Sequence, residues 1–88
     1  MTDKTTLLEF PCEFTIKIFG LASDEFEINA LSIIHKHIPA LAENAISSRP
    51  SKDGKYVALN VTMHVESKAL LDEIYSELNA NTHIIMTL

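Results

Sequence analysis

Apolar and polar residues alternate from Cys12 to Phe19, with Phe14, Ile16 and Ile18 on one side and Thr15, Lys17 and Phe19 on the other. That two-residue period predicts a half-buried strand. Pro11 suits its beginning, because a proline lacks the N–H that a central ladder position needs, and Gly20 is read as its end. The period then changes. Phe26, Ala30, Ile33, Ile34 and Ile38 recur at helical spacing, so a helix with one apolar stripe is predicted from Ser23 or Asp24 up to Pro39. Asp24 followed by Glu27 fits a capping box, and the acids Asp24, Glu25 and Glu27 complement the positive end of the helix.

A short strand is predicted over Asn44 to Arg49, closed by Pro50 and a reversal at Lys52, Asp53 and Gly54. The strongest alternation in the chain follows: Val57, Leu59, Val61, Met63 and Val65 face one way, and Tyr56, Ala58, Asn60, Thr62 and His64 the other. This reads as a central strand. Ser67 is placed to cap a second helix striped by Leu70, Leu71, Ile74 and Leu78, and the chain leaves it through Asn79 to Asn81. A last strand is predicted over Thr82 to Leu88, with Ile84, Met86 and Leu88 toward the core and His83, Ile85 and Thr87 away from it.

Two singly striped helices and four singly apolar strands in the order β-α-β-β-α-β bury best as two layers, with both helices on one face of a four-stranded antiparallel sheet. The predicted class is therefore α+β, a ferredoxin-like βαββαβ plait forming a single domain over residues 1–88, with 1–8 as a loose N-terminal segment. The first and third strands are expected at the centre and the second and fourth at the edges. The other sheet face has no helical cover. It is expected to carry Thr15, Lys17, Phe19, Tyr56, Ala58, Asn60, Thr62, His64, Ile85 and Thr87.

Composition narrows the function more than it identifies it. The 7 basic and 12 acidic residues give a formal charge of −5, which opposes a sequence-independent grip on phosphate backbones or anionic lipid. With Cys12 as the one cysteine there is no intramolecular disulfide, and no run approaches a membrane-spanning length. With no basic-then-apolar leader pattern at the N-terminus, the expected location is cytoplasmic.

The segment Leu7-Leu8-Glu9-Phe10-Pro11 leading into Phe14-Thr15-Ile16-Lys17-Ile18-Phe19-Gly20 resembles the opening of the bacterial YbeD family of small proteins. Ser48-Arg49-Pro50-Ser51 before Gly54-Lys55-Tyr56, the helix Ile74-Tyr75-Ser76-Glu77-Leu78 and the closing Ile85-Met86-Thr87-Leu88 extend the likeness over nearly the whole chain. The resemblance implies a ferredoxin-like fold similar to regulatory ACT domains. It brings no catalytic residues with it.

Candidate chemistry is sparse. His35 and His37, two apart on a helix, diverge and read as solvated surface residues. His64 and His83 share the open face, but the first strand lies between theirs, roughly 9–10 Å across two strand spacings, too far for one ion. Cys12 lacks a cysteine partner and reads as a small packing residue. Glu25 and Glu27, and Glu73 and Glu77, are accounted for by capping and solvation. Acylphosphatases share the plait and cradle phosphate with an arginine after the first strand, whereas Gly20-Leu21-Ala22-Ser23 has none. RNA-recognition domains share it too, yet Tyr56 alone keeps an aromatic place on the open face of the third strand, and the acidic balance removes the electrostatic footprint.

No enzyme, metal or cofactor is therefore expected. The leading expectation is a regulatory or adaptor module that binds a protein partner, or itself, through Lys17, Phe19, Tyr56, Asn60, Thr62, His64 and Ile85. The alternative is an ACT-like small-molecule sensor with its ligand at Gly20, Ser23 and Asp24, where free N–H groups of the helix start attract anions. Nucleic acid and membrane are not expected as partners.

Overall fold

The computed structural model describes residues 9–88, so the expected loose segment 1–8 lies outside the described residues. The chain runs β1 (Cys12–Leu21), α1 (Asp24–His37), a 3-10 turn (Glu43–Ala45), β2 (Ile46–Pro50), β3 (Tyr56–Val65), α2 (Lys68–Ala80) and β4 (Ile84–Thr87). The four strands form one antiparallel sheet in the order β2-β3-β1-β4, the predicted ferredoxin-like plait.

Alternation in the sequence becomes burial in the fold. Ile16 and Ile18 of β1, Val57, Leu59, Val61, Met63 and Val65 of β3, and Ile84 of β4 form the sheet side of the core. The helices close it with Phe26, Ala30 and Ile34 from α1 and Leu71, Ile74 and Leu78 from α2. Burial of side chains such as Phe26 or Ile74 contributes roughly 1.5–3 kcal/mol each, and these two stripes hold the layers together. Both helices begin on a serine: Phe26 N–H donates to Ser23 Oγ (3.1 Å) and Leu70 N–H to Ser67 Oγ (3.2 Å). The cap of α1 is thus Ser23, and the expected Asp24–Glu27 box does not form, because Asp24 is already helical. At the other end Ile38, fixed by the following Pro39, leaves helical geometry (φ −127, ψ 76).

Three features of the strands differ from the sequence reading. Asn44 belongs to the 3-10 turn, and β2 starts at Ile46 and carries Pro50, which an edge strand tolerates. β1 continues through Gly20 to Leu21. A Cβ on Gly20 would stand 2.2 Å from Cδ1 and 2.5 Å from Cε1 of Phe26, and 2.8 Å from the carbonyl oxygen of His83. The glycine is there so that the Phe26 ring can lie on the strand, and it does not end the strand.

The third difference is in β4. Ile18 pairs with Thr87 and Phe19 with Met86, but Gly20 pairs with Ile84, so the register shifts there and Ile85 has no Cα partner. Antiparallel partners share a sheet face. Met86 therefore stands beside Phe19 on the open side, and Thr87 turns to the helices, where its Oγ1 donates to Asn79 Oδ1 (3.0 Å). Leu88 exchanges backbone hydrogen bonds with Lys17 (3.0 and 2.8 Å) and so joins the open side as well. Met86 and Leu88 are 46% and 62% exposed, against the expectation that both face the core. The slip of one residue is sufficient, since the side-chain period is two.

Candidate functional site

The helix-free face is built from rows of cross-strand neighbours. Leu21 stands opposite Tyr56, Phe19 opposite Ala58, Lys17 opposite Asn60, Thr15 opposite Thr62 and Glu13 opposite His64. β2 adds Arg49 beside Ala58 and Ser47 beside Asn60, and β4 adds Met86 beside Phe19. One row thus crosses all four strands as Arg49, Ala58, Phe19, Met86. Thr15 and Thr62 hydrogen-bond through their hydroxyls (2.9 Å), which locks β1 to β3 in mid-face.

β2 and β4 both pair with the same end of the central β1–β3 pair, at Val57–Val61 and Lys17–Gly20, leaving the Cys12–Thr15 and Thr62–Val65 end two-stranded. The predicted site therefore divides. Lys17, Phe19, Tyr56 and Asn60 fall together on the four-stranded half, with Thr62 at its border. Ile85 stands at the register shift on the neighbouring edge, 57% exposed. His64 is at the other end, eight residues and roughly 26 Å from Tyr56 along β3, where its Nε2 lies 3.0 Å from Glu66 Oε2. The distance between His64 and His83 is likewise larger than two strand spacings: His64 is level with Glu13 and Ile84 with Gly20, some seven residues along β1, roughly 23 Å.

Apolar surface gathers on the four-stranded half. Leu21 is 53% and Tyr56 43% exposed, and with Phe19, Met86 and Leu88 they make a continuous strip over β3, β1 and β4. A depression of about 170 Å³ opens in it between Phe19, Arg49, Pro50, Tyr56 and Ala58. The β2–β3 turn holds one wall. Ser51 Oγ donates to Asp53 Oδ1 (2.7 Å) and accepts from Tyr56 N–H (3.1 Å), and Gly54 takes the positive φ of 73° that the reversal requires. The Lys55 N–H donates to Asp53 (3.0 Å); that bond first, and the Ser51 hydroxyl second, hold the Asp53 carboxyl below its ordinary pKa. Ala22 N–H donates to Lys55 O (2.9 Å), tying the turn to the end of β1. At the other end of the strip Leu88 is anchored by Tyr75 of α2, whose hydroxyl donates to the Leu88 backbone oxygen (3.1 Å) and whose ring meets Phe14 edge-on at 6.3 Å. Partial burial raises the Tyr75 pKa.

Sequence reading missed Leu21, Arg49, Met86 and Leu88 as members of this surface. Leu21 was hidden by taking Gly20 as the end of the strand. Met86 and Leu88 were hidden by the register shift, which no local motif announces. Arg49 was legible as a strand residue, but its place in the Phe19 row depends on how β2 pairs.

The residues of the alternative site are otherwise engaged. Phe26 fills the space over Gly20, and the Ser23 hydroxyl is taken up by the helix cap. Asp24 is exposed on the first turn of α1. Cys12 is partly buried and unpaired. Among the described residues no group of three or more His, Cys, Asp and Glu is placed to hold a metal ion, and no helix is long and apolar enough to cross a membrane. His37 departs from its expected solvation. It is 11% exposed between the helices, its Nε2 2.8 Å from Glu77 Oε2 and its Nδ1 4.0 Å from Glu73 Oε1. Lys36 pairs with the other oxygen of Glu77, and these two contacts, Lys36 first, hold the Glu77 carboxyl below its ordinary pKa. The cluster is a clasp between helices, which spacing along one helix could not disclose.

Comparisons with known proteins agree with this architecture. The solution structure of protein HP0495 from H. pylori superposes with a TM-score of 0.70 over 92% of this chain and 85% of that one, at 15% identity, a likeness of fold alone. Over 86 residues the chain is 38% identical to a UPF0250 protein of Chromobacterium violaceum, covering 98% of this chain and 97% of that protein. It is 33% identical to UPF0250 protein NE1487 of Nitrosomonas europaea over the full length of both. A family profile described as "Protein of unknown function (DUF493)" matches residues 5–88. With relatives in several bacteria matching nearly end to end, the chain belongs to the DUF493/UPF0250 family, the YbeD family of small proteins that its strand and turn motifs resemble.

Proposed function

We propose that this chain is a regulatory or adaptor module that docks another protein on the four-stranded half of its open sheet face. The observation that carries the reading is the exposed strip of Leu21, Tyr56, Phe19, Met86 and Leu88, gathered on the one broad face that no helix covers. Single exposed apolar residues are ordinary on a protein surface, whereas large side chains adjoining over three strands are the makings of an interface core. Lys17, Asn60 and Arg49 around the strip supply polar groups that set register. The reading is non-enzymatic and needs no cofactor. A cytoplasmic setting accords with the single free cysteine. The sensor alternative has less support, since Phe26 and the cap of α1 occupy the groups it would use.

The test is affinity capture from native extract with the wild type and a Phe19→Glu/Met86→Glu variant, whose folding is first verified by its amide spectrum. A protein retained by the wild type and lost by the variant is the expected result. Retention of the same proteins by both refutes docking at this face.

A further inference from the structure

Charge is segregated between the two layers. Asp24, Glu25 and Glu27 crowd the first turn of α1, and Asp72, Glu73 and Glu77 lie along α2. The cations of the helix layer are already matched, Lys36 by Glu77 and Lys68 by Asp72 (2.8 Å). On the four-stranded half of the open face the sign reverses. Its strand rows contain Lys17 and Arg49 and no acidic side chain, the nearest strand acid, Glu13, being level with His64 at the far end. Neither Lys17 nor Arg49 forms an ion pair among the described residues. Lys52 and Lys55 lie on the adjoining turn, and the one acid there, Asp53, is engaged by Ser51 and the Lys55 N–H.

An acidic protein thus presents a locally cationic face, and the cations flank the apolar strip. Arg49 lines the depression together with Phe19, Tyr56 and Ala58. A guanidinium at the rim of an apolar depression is suited to a carboxylate held next to a bulky apolar group, because the planar fork donates to both carboxylate oxygens while the cavity takes the side chain. From this arrangement, and resting on the open-face reading above, we infer that the partner presents an acidic segment: a stretch of polypeptide with an Asp or Glu adjacent to a Leu, Met or aromatic anchor. The anchor fills the depression between Phe19, Tyr56 and Ala58, and the carboxylate pairs with Arg49, with Lys17 further along the face.

Two other occupants fit less well. A second copy stacked face to face sets one face carrying Lys17 and Arg49 against another of the same sign, and like charges across an interface oppose association. Single-stranded nucleic acid gains from stacking on Phe19 and Tyr56, but a track of phosphates needs more cations than this face supplies and is repelled by the acidic remainder.

The decisive experiment selects displayed random dodecapeptides on the wild-type protein, synthesises the consensus peptide and maps it by amide chemical shifts. The expected consensus pairs Asp or Glu with a bulky apolar residue and shifts the Arg49, Phe19 and Tyr56 amides. Arg49→Glu then weakens binding about tenfold or more, and Arg49→Ala by less, both with unchanged spectra elsewhere. Added salt weakens the wild-type complex but has little effect on that of Arg49→Glu. A neutral or basic consensus on the same amides overturns the charge inference while leaving open-face docking standing. Peptides mapping to the helix layer overturn both. Failure to enrich any peptide, or an oligouridylate that shifts these amides where no acidic peptide does, overturns the inference.

Discussion

Replacement of Gly20 by alanine tests the packing that puts Leu21 on the open face. The backbone at Gly20 is ordinary extended strand paired on both sides, so the substitution brings no conformational penalty of its own. Reduced freedom of the unfolded chain would even favour alanine by about 0.4–1 kcal/mol. Opposing this, the new Cβ meets two ring carbons of Phe26 at 2.2 and 2.5 Å and the His83 carbonyl oxygen at 2.8 Å. Phe26 is fully buried and the carbonyl is main chain, so neither yields cheaply. Overpacking of this kind costs roughly 1–3 kcal/mol, and with backbone on one side the upper part of that range applies. The net effect is a destabilisation of about 2 kcal/mol, a substantial share of the roughly 4–13 kcal/mol total of a chain this size. Urea denaturation followed by far-UV circular dichroism reads this as a midpoint lowered by about 1–2 M with unchanged slope. A Gly20→Ala/Phe26→Leu double mutant should lose less than the sum of the two single mutants, because the shorter side chain relieves the ring contact and leaves only the carbonyl one. A Gly20→Ala protein as stable as wild type, or strict additivity in the cycle, would refute the claim that Gly20 exists to seat Phe26.

The register shift in β4 is tested by a pair of substitutions: Met86→Glu should change stability by no more than about 0.5 kcal/mol, since Met86 is half exposed, whereas Ile84→Glu places a carboxylate in the core and should cost at least about 3 kcal/mol. Equal losses in thermal or urea melts would mean that Met86 faces inward after all. Glu77 governs part of the acid limb of stability. Its folded pKa lies below the unfolded value, so its contribution is present at neutral pH and is lost as pH falls from about 4.5 through the folded pKa. Glu77→Gln should therefore lower the urea midpoint at pH 7 and bring variant and wild type closer together at pH 3; a gap that is constant with pH would exclude the Lys36–Glu77–His37 clasp.

Much of the fold was legible because both secondary-structure periods are written plainly in the chain. Alternation over Phe14–Ile18 and Val57–Val65, the stripes Phe26–Ala30–Ile34 and Leu71–Ile74–Leu78, and the serines at 23 and 67 each specify an element through interactions within a few residues. One-sided elements in that order leave few ways of burying every apolar side, so the layers and the strand order followed. The open face was legible on β1 and β3 for the same reason, which is how Lys17, Phe19, Tyr56 and Asn60 were found.

What the chain could not show by itself depends on contacts between residues distant in sequence. Gly20 looks like a stop until the Phe26 ring is seen lying against it, and His37 looks solvated until α2 brings Glu77 to it. Met86 and Leu88 follow a flawless inward alternation, yet β4 is short and at an edge, and a one-residue shift against β1 costs it little while reversing which side each residue faces. Local periodicity determined the elements and the plait. Tertiary pairing alone decided which side chains the open face presents, and it was pairing that set Arg49, Phe19 and Met86 in one row, because register is a property of two strands and is encoded in neither one separately.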